Sequence, residues 1–125
     1  MKSDNKPQSI TIDDVEYVRA DAQFRPAVNT DGLKYVIIRS RDSGCHAGYL
    51  YSQDGSTVEL CYARRLWYWS GAATLSELAM NGVKKPDECK FPTEVPVMTV
   101  LGVCEIIDAS EKAQESIESV PIWKS

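Results

Sequence analysis

Arg64 and Arg65 stand side by side directly before Leu66-Trp67-Tyr68-Trp69, and Arg39 and Arg41 lie two residues apart at the end of a β-rich run. Guanidinium forks bind phosphate bidentately, and indole rings stack on flat bases. Arginines beside tryptophans therefore suit a ligand that is anionic at one end and planar at the other. The competing reading is a packed core, in which Trp-Tyr-Trp fills space and arginines lie over aromatic faces. Two adjacent arginines on opposite faces of one strand cannot both sit in a dry interior. One of them needs water, a carboxylate or an anionic ligand.

Candidates for covalent or acid–base chemistry are weaker. The single histidine, His46, follows Cys45, but neighbours on a strand point to opposite faces and do not form a thiol–base pair. The chain has no glycine-rich phosphate loop, no G-x-S-x-G and no paired carboxylates in a cleft pattern. Asp13-Asp14 belongs to a turn, Asp87-Glu88 to a proline-rich connection, and Glu111, Glu115 and Glu118 to a solvated helix face. No catalytic residue is assigned. Cys45, Cys61, Cys89 and Cys104 form no CxxC pair, so neither a metal site nor a cofactor is expected, and reduced thiols point to an intracellular protein.

Charge sharpens the picture. The 125-residue chain carries a net charge of -4 and a pI of about 5.0, which argues against a DNA or RNA polymer as partner. Residues 34–70, however, hold five cations and three anions, a net of +2, and the rest of the chain has a net of -6. A small anion finds a favourable local field there, while a polyanion is repelled overall. No apolar run has the length of a membrane span or the form of a signal peptide.

These residues need elements to hold them. Residues 1–8 are polar and expected to be disordered, leaving 9–125 as one domain. "SITIDDVEYVRA" reads as a small hairpin about Asp13-Asp14, and 21–33 as a loop. "KYVIIRSR" is a strand that places Tyr35, Ile37, Arg39 and Arg41 on one face, followed by a turn at Asp42-Ser43-Gly44. "CHAGYLYSQ" meets a hairpin turn at Asp54-Gly55, and "STVELCYARRLWYW" returns as the next strand. There Arg65, Trp67 and Trp69 take one face, and Arg64, Leu66 and Tyr68 the other.

Thr74 caps a two-turn helix, with Glu77 completing the capping box and Asn81-Gly82 ending it. Leu75, Leu78 and Ala79 form its apolar face. "VMTVLGVCEII" reads as one strand buried on both faces, and Ser110 caps a second helix that Pro121 closes. The expected fold is α+β, an antiparallel sheet with two short helices in a single domain.

The run "RRLWYWSGAATLSELAMNGVKKP", with "SGCHAGYL" upstream and "CKFP", "EIID" and "VPIW" downstream, resembles the phage family that includes the Thoeris anti-defence sponge. The likeness covers most of residues 34–123. It implies an α+β protein that binds glycocyclic ADP-ribose, the cyclic ADP-ribose isomer made by a TIR-domain sensor, and sequesters it without cleavage. It also implies a place in the bacterial host cytoplasm during phage infection, homodimers that assemble into a homohexamer, and separate sites in some members for cyclic di- or trinucleotides of CBASS. On this reading Arg39, Arg41, Arg64 and Arg65 contact phosphate, and Trp67, Tyr68 and Trp69 stack or frame the pocket. Thr74, Leu75 and Asn81 lie at the helix ends, and the N-terminus at Thr74 is expected to present free backbone N–H groups to phosphate. Two other readings remain at this point: a hydrolase of the same signal, or a phage structural or host-protein-binding module.

Overall fold

The computed structural model describes residues 9–12, 15–18 and 24–124. Strands β1 (Ser9–Ile12) and β2 (Val15–Val18) pair antiparallel, as the hairpin pattern predicts. Residues 1–8 and Asp13-Asp14 lie outside the described residues. The main sheet has five antiparallel strands: β3 (Tyr35–Ser40), β4 (Gly44–Asp54), β5 (Thr57–Arg65), β6 (Val95–Val100) and β7 (Val103–Asp108). Their spatial order is β6-β5-β4-β3-β7. Helix α1 (Leu75–Asn81) follows β5, and α2 (Glu111–Ser119) follows β7. The fold is therefore a small single-domain α+β structure of the expected class.

"VMTVLGVCEII" is two strands, not one. Leu101-Gly102 interrupts it, with Gly102 at φ 69, and the two halves lie on opposite edges of the sheet. In a flat sheet those edges would be four spacings apart, about 19 Å. Three residues of chain reach at most about 11 Å, so the sheet has to curl. Two hydrogen bonds seal this end: Val103 N–H to the Ser56 carbonyl at 2.8 Å and Arg41 N–H to the Gly102 carbonyl at 3.4 Å.

Curling gives the sheet two apolar faces. Val36, Ile38, Val58, Leu60, Ala63 and Val100 fill the concave side. Tyr35, Ile37 and Ala47 pack on the convex side with Leu78, Ala79, Phe91, Ala113 and Ile117. This explains the unbroken apolar run of β3, since a strand covered on both faces needs no alternation. Bending is accommodated by a bulge in β5. The register moves from Tyr49↔Cys61 to Ala47↔Arg64, so Tyr62 and Ala63 both oppose Gly48. Tyr62 takes the left-handed conformation, φ 52.

The β4–β5 turn is Gly55-Ser56, one residue later than expected, because Asp54 still pairs with Thr57. Both helix starts agree with the sequence reading. Thr74 Oγ accepts from Glu77 N–H at 3.1 Å, and Ser110 Oγ accepts from Ala113 N–H at 3.0 Å. Among the described residues no helix is long and apolar enough to cross a membrane.

Candidate functional site

β5 ends at Arg65, and the aromatic run beyond it is held as an irregular extension. Leu66 N–H donates to the Cys45 carbonyl at 2.9 Å, and Tyr68 and Lys90 exchange backbone bonds of 2.7 and 3.3 Å. These anchors fix the chain on both sides of Trp67. Leu66 is buried, Trp69 half-buried against the convex core, and Trp67 is 63% exposed.

The adjacent arginines part at this point. Arg64 turns to the convex side and is only 4% exposed. Its Nε donates to the Pro92 carbonyl at 2.8 Å, and its two terminal nitrogens to the Ile117 and Phe91 carbonyls at 2.8 and 3.0 Å. The guanidinium also lies 5.6 Å from the Phe91 ring centre. Backbone acceptors, one of them near the negative end of α2, satisfy this cation without any carboxylate or ligand. Arg64 is thus a packing residue, and the dilemma of two arginines is resolved by one of them.

Arg65 takes the other direction. One terminal nitrogen donates to the Ser43 carbonyl at 2.7 Å, and the side chain lines a cleft of about 420 Å³ with Asp42, Gly44, Cys45, Trp67 and Trp69. Arg39 and Arg41 line a second cleft, of about 690 Å³, with Ser56, Gly102 and Cys104. Gly44 and Cys45 belong to both. The β3–β4 turn therefore borders two adjoining clefts, with Arg39 and Arg41 in one and Arg65, Trp67 and Trp69 in the other. Arg39 pairs with Cys45 and Arg65 with His46, so the two arginines start from opposite faces of the sheet. Arg39 is partly committed, its Nε donating to Glu105 Oε1 at 3.0 Å.

The remaining candidates lie elsewhere. Tyr68 is exposed and sits with Lys90 and Trp123: the Lys90 ammonium is 5.9 and 5.6 Å from the two ring centres. Thr74 is occupied in capping α1, and Ala73 N–H is taken by Glu77 Oε1 at 3.0 Å. Leu75 packs on the convex core. Asn81 borders a separate cleft with Arg25, Met80 and Ser110. The helix-end residues do not join the arginine clefts.

Cys45 and His46 do point apart. Cys45 packs towards the convex core, where burial pushes its thiol up, against the lowering effect of Arg39. His46 is 1% exposed, and burial followed by Arg65 pushes its pKa down to about 4. A protonated thiol and an enclosed neutral imidazole make no nucleophile–base pair. Among the described residues no group of three or more His, Cys, Asp or Glu gathers to hold a metal, and all four cysteines are free thiols.

Sequence reasoning missed the shared border of the two clefts. Asp42-Ser43-Gly44 read as an ordinary turn with Cys45 opening the next strand, and the pairing of His46 with Arg65 and of Leu66 N–H with the Cys45 carbonyl brings that turn beside Trp67. Residues 33–117 match the model of one protein family, described as a domain of unknown function (DUF6948). No curated protein and no solved structure matches the chain.

Proposed function

The chain belongs to the DUF6948 family, a description that assigns no activity. From the geometry of the two clefts we propose that it is a non-catalytic binding protein that sequesters a small nucleotide signal of the cyclic ADP-ribose type. The observation that carries this reading is a pair of clefts adjoining at Gly44 and Cys45, one lined by Arg39 and Arg41 and the other by Arg65, Trp67 and Trp69. Cyclic ADP-ribose isomers carry a diphosphate and an adenine, so they need cations at one end of a site and a ring face at the other. Each cleft, of about 690 and 420 Å³, has by itself the size of an ordinary small-ligand site. Sequestration rather than turnover is favoured because Cys45 and His46 offer no activated nucleophile. A sponge must also hold its ligand tightly: a Kd near 1 nM corresponds to about 12 kcal/mol, which requires nearly complete burial. Trp67 is too exposed to supply that in one chain, which favours a homodimer closing over the ligand, with hexamers built from dimers. Cyclic di- or trinucleotides of CBASS are further ligands on this reading, and the host bacterial cytoplasm during infection is its setting.

The test is retention. Excess protein is incubated with glycocyclic ADP-ribose, freed of unbound ligand and heated. Release of intact nucleotide supports sequestration, and Arg65→Met should reduce the retained fraction while Arg64-dependent folding is untouched. New products at more than one equivalent per site would indicate a hydrolase instead. A second reading, a module that binds a host protein, is favoured by the exposed Tyr68–Lys90–Trp123 cluster. It predicts capture of a host protein without nucleotide, and loss of that capture in Tyr68→Ala.

A further inference from the structure

His46 stands among apolar neighbours yet keeps one polar contact. It pairs in register with Ile38 and Arg65, on the side of the sheet filled by Val36, Ile38, Val58 and Leu60. Its Nε2 lies 3.1 Å from the Ser43 carbonyl and 3.3 Å from Ser43 Oγ. A carbonyl only accepts, so Nε2 carries the proton and Nδ1 is a bare acceptor. Among the described residues Nδ1 has no hydrogen-bond partner. Leaving a buried acceptor unpaired is unfavourable, and leucine would fill this place without that penalty. What leucine could not supply is the Nε2–H.

That hydrogen bond ends on the same oxygen that receives Arg65. The Ser43 carbonyl has two lone pairs, and it accepts from His46 Nε2 and, at 2.7 Å, from Arg65. The following residue, Gly44, has φ 84, a conformation in which the Ser43–Gly44 peptide plane can flip at little steric cost. A flip would carry the oxygen away from both donors and release the guanidinium from the cleft. Burial locks the imidazole, the imidazole locks the peptide, and the peptide holds Arg65 beside Trp67.

Resting on the nucleotide-binding reading above, the geometry points to His46 as a positioning residue that presets Arg65 for an anionic ligand through the Ser43 carbonyl. It touches no ligand itself. Its contribution is to remove the freedom that Arg65 would otherwise lose on binding.

The experiment uses the full chain with ADP and inorganic pyrophosphate as probes, His46→Leu to remove the donor, and His46→Gln to return an amide donor. Arg65→Met and His46→Leu should each weaken ADP binding about tenfold, the effect of losing one charge-assisted bond. The double variant should bind no worse than Arg65→Met alone, and His46→Gln should recover affinity to within about threefold of the parent. Additive losses in the double variant, or unchanged affinity in a folded His46→Leu, would overturn the assignment. A ligand-free arm separates this inference from the nucleotide reading: side-chain nitrogen NMR of Arg65. Hindered guanidinium rotation in the parent and in His46→Gln, lost in His46→Leu, supports positioning even if neither probe binds. Equal rotation in all three refutes it whatever the probes do.

Discussion

Replacing Arg64 by methionine keeps an unbranched apolar stem and removes every donor. Three carbonyls, those of Phe91, Pro92 and Ile117, then lose the guanidinium at once. Phe91 still accepts from Trp123 N–H at 3.0 Å and Ile117 from Val120 N–H at 3.3 Å, so Pro92 is the carbonyl left without a donor. With about 1–3 kcal/mol for an orphaned acceptor and the loss of two further charge-assisted bonds, the expected cost is about 2–4 kcal/mol. This is a large share of the roughly 5–15 kcal/mol that holds a domain together. Arg65→Met removes one bond to a carbonyl that His46 still serves, and should cost about 1 kcal/mol or less. Equilibrium unfolding in urea measures both. With a slope of about 2 kcal/mol per molar, the Arg64 variant should shift its midpoint down by roughly 1–2 M and the Arg65 variant by under about 0.5 M. Equal shifts, or an Arg64 variant within about 1 kcal/mol of the parent, would refute the division of labour between the two arginines.

Other outcomes follow from the same contacts. His46 titrates near 6.5 when unfolded but is pushed down to about 4 in the fold. The unfolded chain thus binds the extra proton first, and stability falls as pH drops from 6.5 through 4, by up to about 3 kcal/mol. Glu118, raised by burial and then by Glu94, acts in the opposite sense at low pH. Melting curves from pH 7 to 4 for the parent and His46→Gln isolate the histidine, because only the parent should show that part of the decline. Tyr62→Gly should leave the melting temperature unchanged or raise it: the left-handed backbone costs a tyrosine about 1 kcal/mol, and its side chain is half exposed. A loss above about 1 kcal/mol would mean that the ring packs more tightly than its exposure indicates. Thr74→Ala should cost about 1 kcal/mol, that of an exposed cap. Ser110→Ala should cost about 2 kcal/mol, since this buried hydroxyl also donates to the Met80 carbonyl at 2.6 Å; chemical denaturation ranks the pair.

Much of the fold was legible because its signals are local. Thr74 and Ser110 sit where caps belong, Gly82 ends α1, and Gly55 marks a hairpin. The β6–β7 boundary was not, because Leu101-Gly102 lies inside a continuous apolar run and only closure of the sheet requires a turn there. The candidate site was half legible. Arg65 and Trp67 could be grouped by alternation along one strand, but the nearness of their cleft to that of Arg39 and Arg41 depends on the turn of another hairpin. Arg64 could not be told from Arg65 by sequence. Both are arginines beside aromatics, and what separates them is the set of carbonyls left open by the Phe91-Pro92 connection and the end of α2.

The two-residue link between the sheet's edges also dictates an order of events. β3 gains one neighbour within a few residues, when β4 turns back on it, but its other neighbour, β7, arrives more than sixty residues later. Until then Tyr35–Ser40 presents an apolar strand with one bare edge, and the concave core has no wall at Val103 and Ile106. A chain emerging from the ribosome must carry that edge through the synthesis of α1, the connection over residues 82–94 and β6. Closure is thus a late, long-range step of the kind that slows folding. A chain stopped before residue 103 would keep the sticky strand without its cover, so shortened products of this sequence should be recovered as aggregates rather than as smaller folded domains.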